Sequence, residues 1–289
     1  MSIIKSISYP KNQRFTTEYN EIHDFLTKCA DVGYNEHFHW GRFEWMMIHT
    51  MLDEDKTDQI TIFKDESGII TGLITYDTMY NDRWYLIHNT DDRNLLSMMI
   101  DHIISMDSDR AEIKVNTCDF VLNELLLSRG FHFEQAAETV LSFNLENDLS
   151  YSVPEGYHIS PCGFQFDPWK YQMLIHIGFG GEGVPEKWDS RVFEPTPNYN
   201  GALKVFATND SEYCSHCGIW YTNGDTAYIE PVVTHPKYRK QGLAKAVVFE
   251  AMKRAKSLGA KRAIVISDQA FYYHIGFEQS SRVNKYKTK

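Results

Sequence analysis

Two spacings of apolar residues alternate along this chain, and together they predict its elements. Short β-branched and aromatic runs predict strands at residues 59–63, 68–76, 84–88, 113–115, 203–208, 214–221 and 228–234. Apolar residues returning every three or four positions predict helices at 95–106, 122–127 and 169–177. A further helix opens at Gln241-Gly242-Leu243-Ala244. Val247, Val248, Ala251, Met252, Ala255 and Leu258 share one face of it, and Lys253, Arg254 and Lys256 are left to solvent. Lys64-Asp65-Glu66-Ser67-Gly68 and Asn209-Asp210-Ser211 read as hairpin turns, and Gly259 ends the last of these helices.

The second half repeats the order of the first. Gly72 and Gly130 stand 58 residues apart, as do Gly218 and Gly276, and each pair joins a strand glycine to a Gly-Phe stop. The offset between the pairs is 146 residues, whereas the short strands at Ile113 and Ile264 differ by 151, so the intervening segments differ in length. Residues 144–156, with Pro154-Glu155-Gly156, are the linker candidate. Domains are therefore expected at 1–150 and 151–289, and 289 residues suffice for two cores.

Charge sharpens this division. The net charge of −10 argues against a nucleic-acid or anionic-membrane partner. Residues 1–150 hold 12 basic against 26 acidic side chains, net −14, and residues 151–289 hold 17 against 13, net +4. An anionic ligand should prefer the second half. The acidic half would draw cationic amines or simply aid solubility. No apolar run reaches bilayer length, and Met1-Ser2-Ile3-Ile4-Lys5 is not followed by a secretory apolar core, so a cytoplasmic protein is expected. Five scattered cysteines do not suggest a disulfide framework.

The stretch from Tyr228 to Leu258 carries the clearest chemistry. A strand feeds a helix through a turn whose small residues, Gly242 and Ala244, sit at the helix start, where the first amides lack partners and carry the positive end of the dipole. Lys237, Arg239, Lys240 and Lys245 add positive charge, which suits a pyrophosphate.

Arg239-Lys240-Gln241-Gly242-Leu243-Ala244 resembles the R/Q-x-x-G-x-G/A signature of the GNAT superfamily of acyl-CoA-dependent N-acetyltransferases. Val233-Thr234-His235-Pro236-Lys237-Tyr238 is similar to the strand and turn that precede it, and Tyr272-Tyr273-His274-Ile275-Gly276-Phe277 to the closing Y-x-x-x-G-F. The resemblance covers residues 151–289; Ala244 replaces the commoner second glycine. It implies an α/β chain of two tandem GNAT-like domains, each a mixed, mostly antiparallel central sheet flanked by helices, in a layout similar to mycothiol synthase.

The resemblance also implies acetyl-CoA as acyl-donor co-substrate, with no metal, held by Val232, Val233, Thr234, Arg239, Lys240, Gln241, Gly242, Leu243, Ala244 and Lys245. Glu230, beside Pro231 in an irregular strand, is the expected base, acting directly or through a water on a primary amine whose pKa is about 10.4 if it resembles lysine. A backbone amide of Val233 or Thr234 would hold the oxyanion. Tyr272 would protonate the departing thiolate, with Tyr273 as its substitute. Subtracting 146 from Arg239, Gly242, Ala244 and Tyr272 reaches Arg93, Leu96, Met98 and Leu126, so the first copy is expected to lack a CoA site.

The expected function is direct acetyl transfer to a small-molecule or peptide amine. The alternative is a non-catalytic acyl-CoA sensor or interaction module, and a longer acyl chain also stays open. Acceptor and oligomeric state are undefined by sequence. Cys214 and Cys217, three apart on a strand, point to opposite faces and are expected to be structural; His216 is a weak candidate base. His37, His39 and His49 lack ligand partners at metal spacing. Residues 178–183, glycine-rich after a helix, read as a mobile loop; the resemblance implies that it borders the acceptor pocket, with Glu182, Trp188 and Glu194 in reach of an acceptor.

Overall fold

The computed structural model describes residues 4–32, 34–78, 83–106, 111–209 and 211–288. Asp210, the centre of one predicted turn, lies outside the described residues. In chain order the elements are β1 (Lys5–Ser8), α1 (Thr17–Ala30), α2 (Trp40–Ile48), β2 (Thr61–Lys64), β3 (Ile70–Thr75), β4 (Arg83–His88), α3 (Arg93–Met106), β5 (Glu112–Asn116), α4 (Phe120–Ser128) and β6 (His132–Asn144). There follow β7 (His158–Ile159), α5 (Pro168–Gly178), β8 (Lys204–Thr208), β9 (Tyr213–Trp220), β10 (Thr226–Thr234), α6 (Leu243–Ser257), β11 (Arg262–Ile266), α7 (Ala270–His274) and β12 (Glu278–Lys287).

The chain forms two compact units. One comprises Met1–Leu141, Ile266–Tyr272 and Glu278–Lys289, the other Ser142–Val265 and Tyr273–Phe277. A single cut at 150, expected from the Pro-Gly stretch, therefore misses two features. The division falls between Leu141 and Ser142, within β6, and β12 returns to the first unit. There it pairs antiparallel with β5 from Val283↔Asn116 to Lys287↔Glu112, a pairing more than 160 residues apart in sequence that local pattern does not encode.

In the first unit the strand order is β1-β2-β3-β4-β5-β12-β6, with β2, β3 and β4 antiparallel and β5 parallel to β4. In the second, β7-β8-β9-β10 are antiparallel and β11 runs parallel to β10. Each unit thus has a mixed, mostly antiparallel sheet, and a helix links its parallel pair: α3 between β4 and β5, α6 between β10 and β11.

The first unit buries a compact charge cluster. Arg42 on α2 donates to Asp77 at 2.8 Å and to Glu138 at 3.0 Å, and Lys114 on β5 donates to Glu138 at 2.6 Å and to the Tyr85 hydroxyl at 2.6 Å. Two cations face two carboxylates, so the cluster is neutral. Burial pushes the Glu138 carboxyl up, but Arg42 and Lys114 outweigh it and hold the group well below its usual range. His37 lies beside this cluster, fully buried, with no hydrogen-bond partner on either ring nitrogen.

In the second unit, α6 buries Leu243, Ala246, Val247, Val248, Ala251, Met252 and Ala255 against β8, β9 and β10. Its last turns are pinned by Arg254, which donates to the Ser160 carbonyl at 2.6 Å and the Ala202 carbonyl at 2.9 Å. The opposite end of the helix, near Gly242, is left exposed.

Candidate active site

Strand β10 is irregular where its sequence carries proline. The Glu230-Pro231 peptide is cis, and the pairing with β9 shifts between Ile229 and Val232. Proline has no amide to give to a ladder, so the strand bulges at this position. Gly218 on β9 makes room for the bulge: a Cβ there would lie 2.6 Å from the Glu230 carbonyl oxygen. That carbonyl accepts the Trp220 indole N–H at 3.0 Å. The Glu230 carboxylate, half-buried, accepts from the Tyr228 hydroxyl.

From Ile229 onward β10 parts from β11. Parallel pairing runs from Thr226↔Arg262 to Tyr228↔Ile264 and stops, although β10 continues to Thr234 and β11 to Ile266. Successive residues of a strand direct their backbone groups to opposite edges. The His235 amide donates to the Cys214 carbonyl at 3.0 Å, and the Val233 carbonyl accepts from the Ser215 hydroxyl at 3.0 Å, so both residues face β9. Val232 and Thr234 therefore turn their amides to the opened edge. Of the two residues expected to offer an oxyanion donor, Thr234 turns its amide to the opened edge and Val233 turns its amide toward β9.

The turn after β10 reaches α6 through two left-handed residues, Lys240 (φ 61°) and Gly242 (φ 85°). Such a conformation is costly for lysine and free for glycine, and it turns the chain into α6 with the first helix amides left unpartnered. Gly242 is the N-cap of α6, and no side chain caps the helix. A Cβ at Gly242 would meet nothing within 4 Å, so the glycine answers to its φ and the space beside it is open. The bare dipole end and the surrounding lysines together fit a diphosphate.

The side chains named from sequence divide into several roles here. Leu243 is buried and anchors the helix start, whereas Lys240, Gln241 and Gly242 are exposed and Ala244 and Lys245 half-exposed. Lys245 lies 4.9 Å over the Phe249 ring. The Gln241 side chain accepts from the Tyr157 hydroxyl at 2.8 Å. Arg239 is committed to the protein itself: its guanidinium donates to the Thr234 carbonyl at 3.2 Å and the Gly178 carbonyl at 2.7 Å, tying the turn to α5. Gly178 in turn lets α5 close on β10, since a Cβ there would sit 2.0 Å from Val233 Cγ2.

The corresponding place in the first unit is built otherwise. The connection from β4 to α3 is residues 89–92, against residues 235–242 between β10 and α6. The residue just before α3 is Asp92, whose carboxylate accepts the Asn94 amide at 2.9 Å. Leu96, reached from Gly242 by the constant offset, lies inside α3 with its amide already bonded to the Asp92 carbonyl at 3.0 Å. The shorter connection shifts the correspondence by four residues, so Asp92 is the positional counterpart of Gly242. A carboxylate at that helix end repels a phosphate.

Tyr272 lies on α7, 5% exposed, its ring edge-on to Phe271 at 5.1 Å; the division between the units falls just after it. Tyr273 is 43% exposed. Among the other candidates, burial holds the His216 imidazole down at about 3, aided by Lys204, with Nδ1 3.0 Å from the Val205 carbonyl, so it is a neutral core residue. Cys214 and Cys217 are buried free thiols. Among the described residues, no group of three or more His, Cys, Asp or Glu is arranged to hold a metal, and no helix is long and apolar enough to cross a membrane.

Sequence reasoning named Trp188 and missed its surroundings. Tyr171, buried on α5, meets the edges of Trp188 at 6.4 Å and Phe193 at 6.5 Å, and also packs on Phe206 and His216 at 5.9 and 5.1 Å. Burial, with the charges of Glu230 and Tyr199 behind it, pushes the Tyr171 phenol far up. The run of aromatics between Phe164 and Phe206 was the available signal. Glu182 and Glu194 are exposed.

Residues 172–277 match the acetyltransferase (GNAT) family. Solved structures with the same fold extend over the whole chain. A GCN5-related N-acetyltransferase from Sphaerobacter thermophilus is 12% identical, with a TM-score of 0.57 over 99% of this chain and 95% of its own. A tandem GNAT protein from the clavulanic acid biosynthesis pathway is 11% identical, with a TM-score of 0.58 over 99% and 98%. N-myristoyltransferase of Saccharomyces cerevisiae is 11% identical, with a TM-score of 0.53 over 100% and 79%. No curated protein sequence matches the chain.

Proposed function

We propose that the protein is an acetyl-CoA-dependent N-acetyltransferase acting on a primary amine, with the diphosphate of the donor held at the start of α6. The observation that carries this reading is the uncapped start of α6 at Gly242, set directly after the strand edge that β11 leaves open. Bound acetyl-CoA would supply an activated thioester. Amides from Gly242 to Lys245 would take its diphosphate, and the Val232 and Thr234 edge would pair with its amide-bearing arm. Lys240 and Lys245 add charge; Arg239 and Gln241 shape the turn through the bonds they already make.

Glu230 would take a proton from the incoming ammonium, aided in place by the Tyr228 hydroxyl. The Thr234 amide would donate to the acyl oxygen as charge gathers on it. Tyr272 would give a proton to the departing sulfur. In balance, one N–C bond forms, one C–S bond breaks, and the amine loses two protons, of which the thiol keeps one. The five unpaired cysteines suit a reducing compartment such as the cytoplasm.

Thiol release from acetyl-CoA, measured with a panel of amines, tests the reading. Amine-dependent release is the expected result. Tight CoA binding without it would identify a sensor instead, and release with longer acyl-CoA donors only would move the donor class.

A further inference from the structure

Resting on that reading, we infer that the acceptor is a primary amine carried on an aromatic or similarly flat apolar group, held against the Trp188 and Phe193 rings with its nitrogen directed to Glu230. The connection after α5 builds a shelf of the right kind. Trp188 and Phe193 stack at 5.9 Å and 25°, and both stay partly exposed. Their edges rest on Tyr171 at 79° and 76°, so the shelf is anchored to a buried ring. Offset and edge-on rings at these separations form favourable aromatic pairs and leave a flat face for a further one.

The shelf is held in place by a buried polar clamp. Gln172 is 1% exposed; its side-chain oxygen accepts the Trp188 amide at 3.1 Å and its nitrogen donates to the Glu186 carbonyl. A backbone fixed this way positions Trp188 with little freedom to lose on binding. The stretch is acidic, residues 182–194 carrying four carboxylates against two basic side chains, and Tyr171 joins the shelf to the Glu230 strand through His216, which it meets at 5.1 Å and which pairs with Val233. An ammonium is thus attracted, and the stacked rings themselves offer its carrier an apolar face. Against those rings the polar backbone of a polyamine or aminoglycoside would give up hydration without compensation.

The test compares phenethylamine and tryptamine with spermidine and kanamycin in the thiol-release assay, for the intact chain and for Trp188→Ala, Trp188→Phe and Phe193→Ala. The expected result is a higher kcat/KM for the two aromatic amines. Each alanine variant should raise their KM about tenfold, Trp188→Phe should restore most of the loss, and the KM for acetyl-CoA should stay put, which also shows that the variants fold. Preference for spermidine or kanamycin, or an unchanged KM for phenethylamine in both alanine variants, would overturn the acceptor class and leave the enzyme reading standing. Binding of acetyl-CoA with no release for any amine would remove the enzyme reading and this inference with it.

Discussion

The Asp92 carboxylate accepts the Asn94 amide where α3 begins, and at the same place before α6 stands Gly242, which offers no side chain. One helix start is closed by an internal anion; the other is open to an external one. Replacing Asp92 with glycine removes a side-chain cap and should cost the fold roughly a few tenths of a kcal/mol. It should not create a second donor site, because the connection from β4 is four residues shorter than that from β10. Calorimetric stoichiometry should stay at one CoA per chain while thermal stability falls slightly.

The bulge depends on Gly218. An alanine there would place Cβ 2.6 Å from the Glu230 carbonyl oxygen and 3.3 Å from Pro231 Cδ. Neither neighbour is a flexible side-chain end, so the strand must move, at a cost of about 1–3 kcal/mol. Gly218→Ala should lower both the melting temperature and acetyl-transfer turnover. A variant with wild-type turnover would separate the bulge from the chemistry.

Tyr272 and Tyr273 differ in burial, 5% against 43% exposed, and only the buried one is expected to act as acid. Tyr272→Phe should reduce turnover by roughly 10²–10⁴-fold, the usual worth of a positioned acid, with CoA affinity nearly unchanged. Tyr273→Phe should leave both alone. Parallel steady-state kinetics and CoA titrations decide the matter.

His37 should make the first unit sensitive to mild acid. Burial holds its imidazole down at about 4; Arg42 and Lys114 push the same way and Glu138 and Asp119 oppose them. Its folded pKa lies below the unfolded value near 6.5, so its stabilising contribution is complete above about pH 6.5 and is lost as pH falls toward 4. The full loss is roughly 3 kcal/mol. Melting temperatures between pH 6.5 and 5 should fall with pH, and less steeply in His37→Phe.

Local pattern sufficed for the strand, turn and helix of the candidate site. Gly242, Leu243 and Gly259 mark α6 at both ends, and the proline at 231 marks the bulge. Pattern failed where the information is not local. The pairing of β12 with β5 leaves no trace in either strand alone, and a constant offset could not register a connection shortened by four residues. The direction of the Val233 amide follows from pairing with β9, which composition does not reveal. Tyr171, Phe193 and Trp188 are far apart in any simple motif and meet only through the fold of residues 179–193.

The most direct measurement is CoA binding by calorimetry to the intact chain and to Gly242→Asp, which gives α6 the carboxylate that α3 already has. One CoA should bind per wild-type chain, and the variant should bind about 100-fold more weakly, roughly 2.7 kcal/mol, while a side chain on the left-handed backbone at position 242 costs the fold roughly 1–2 kcal/mol. Unchanged affinity in the folded variant, or no binding by the wild type, would contradict the assignment of the donor to the start of α6.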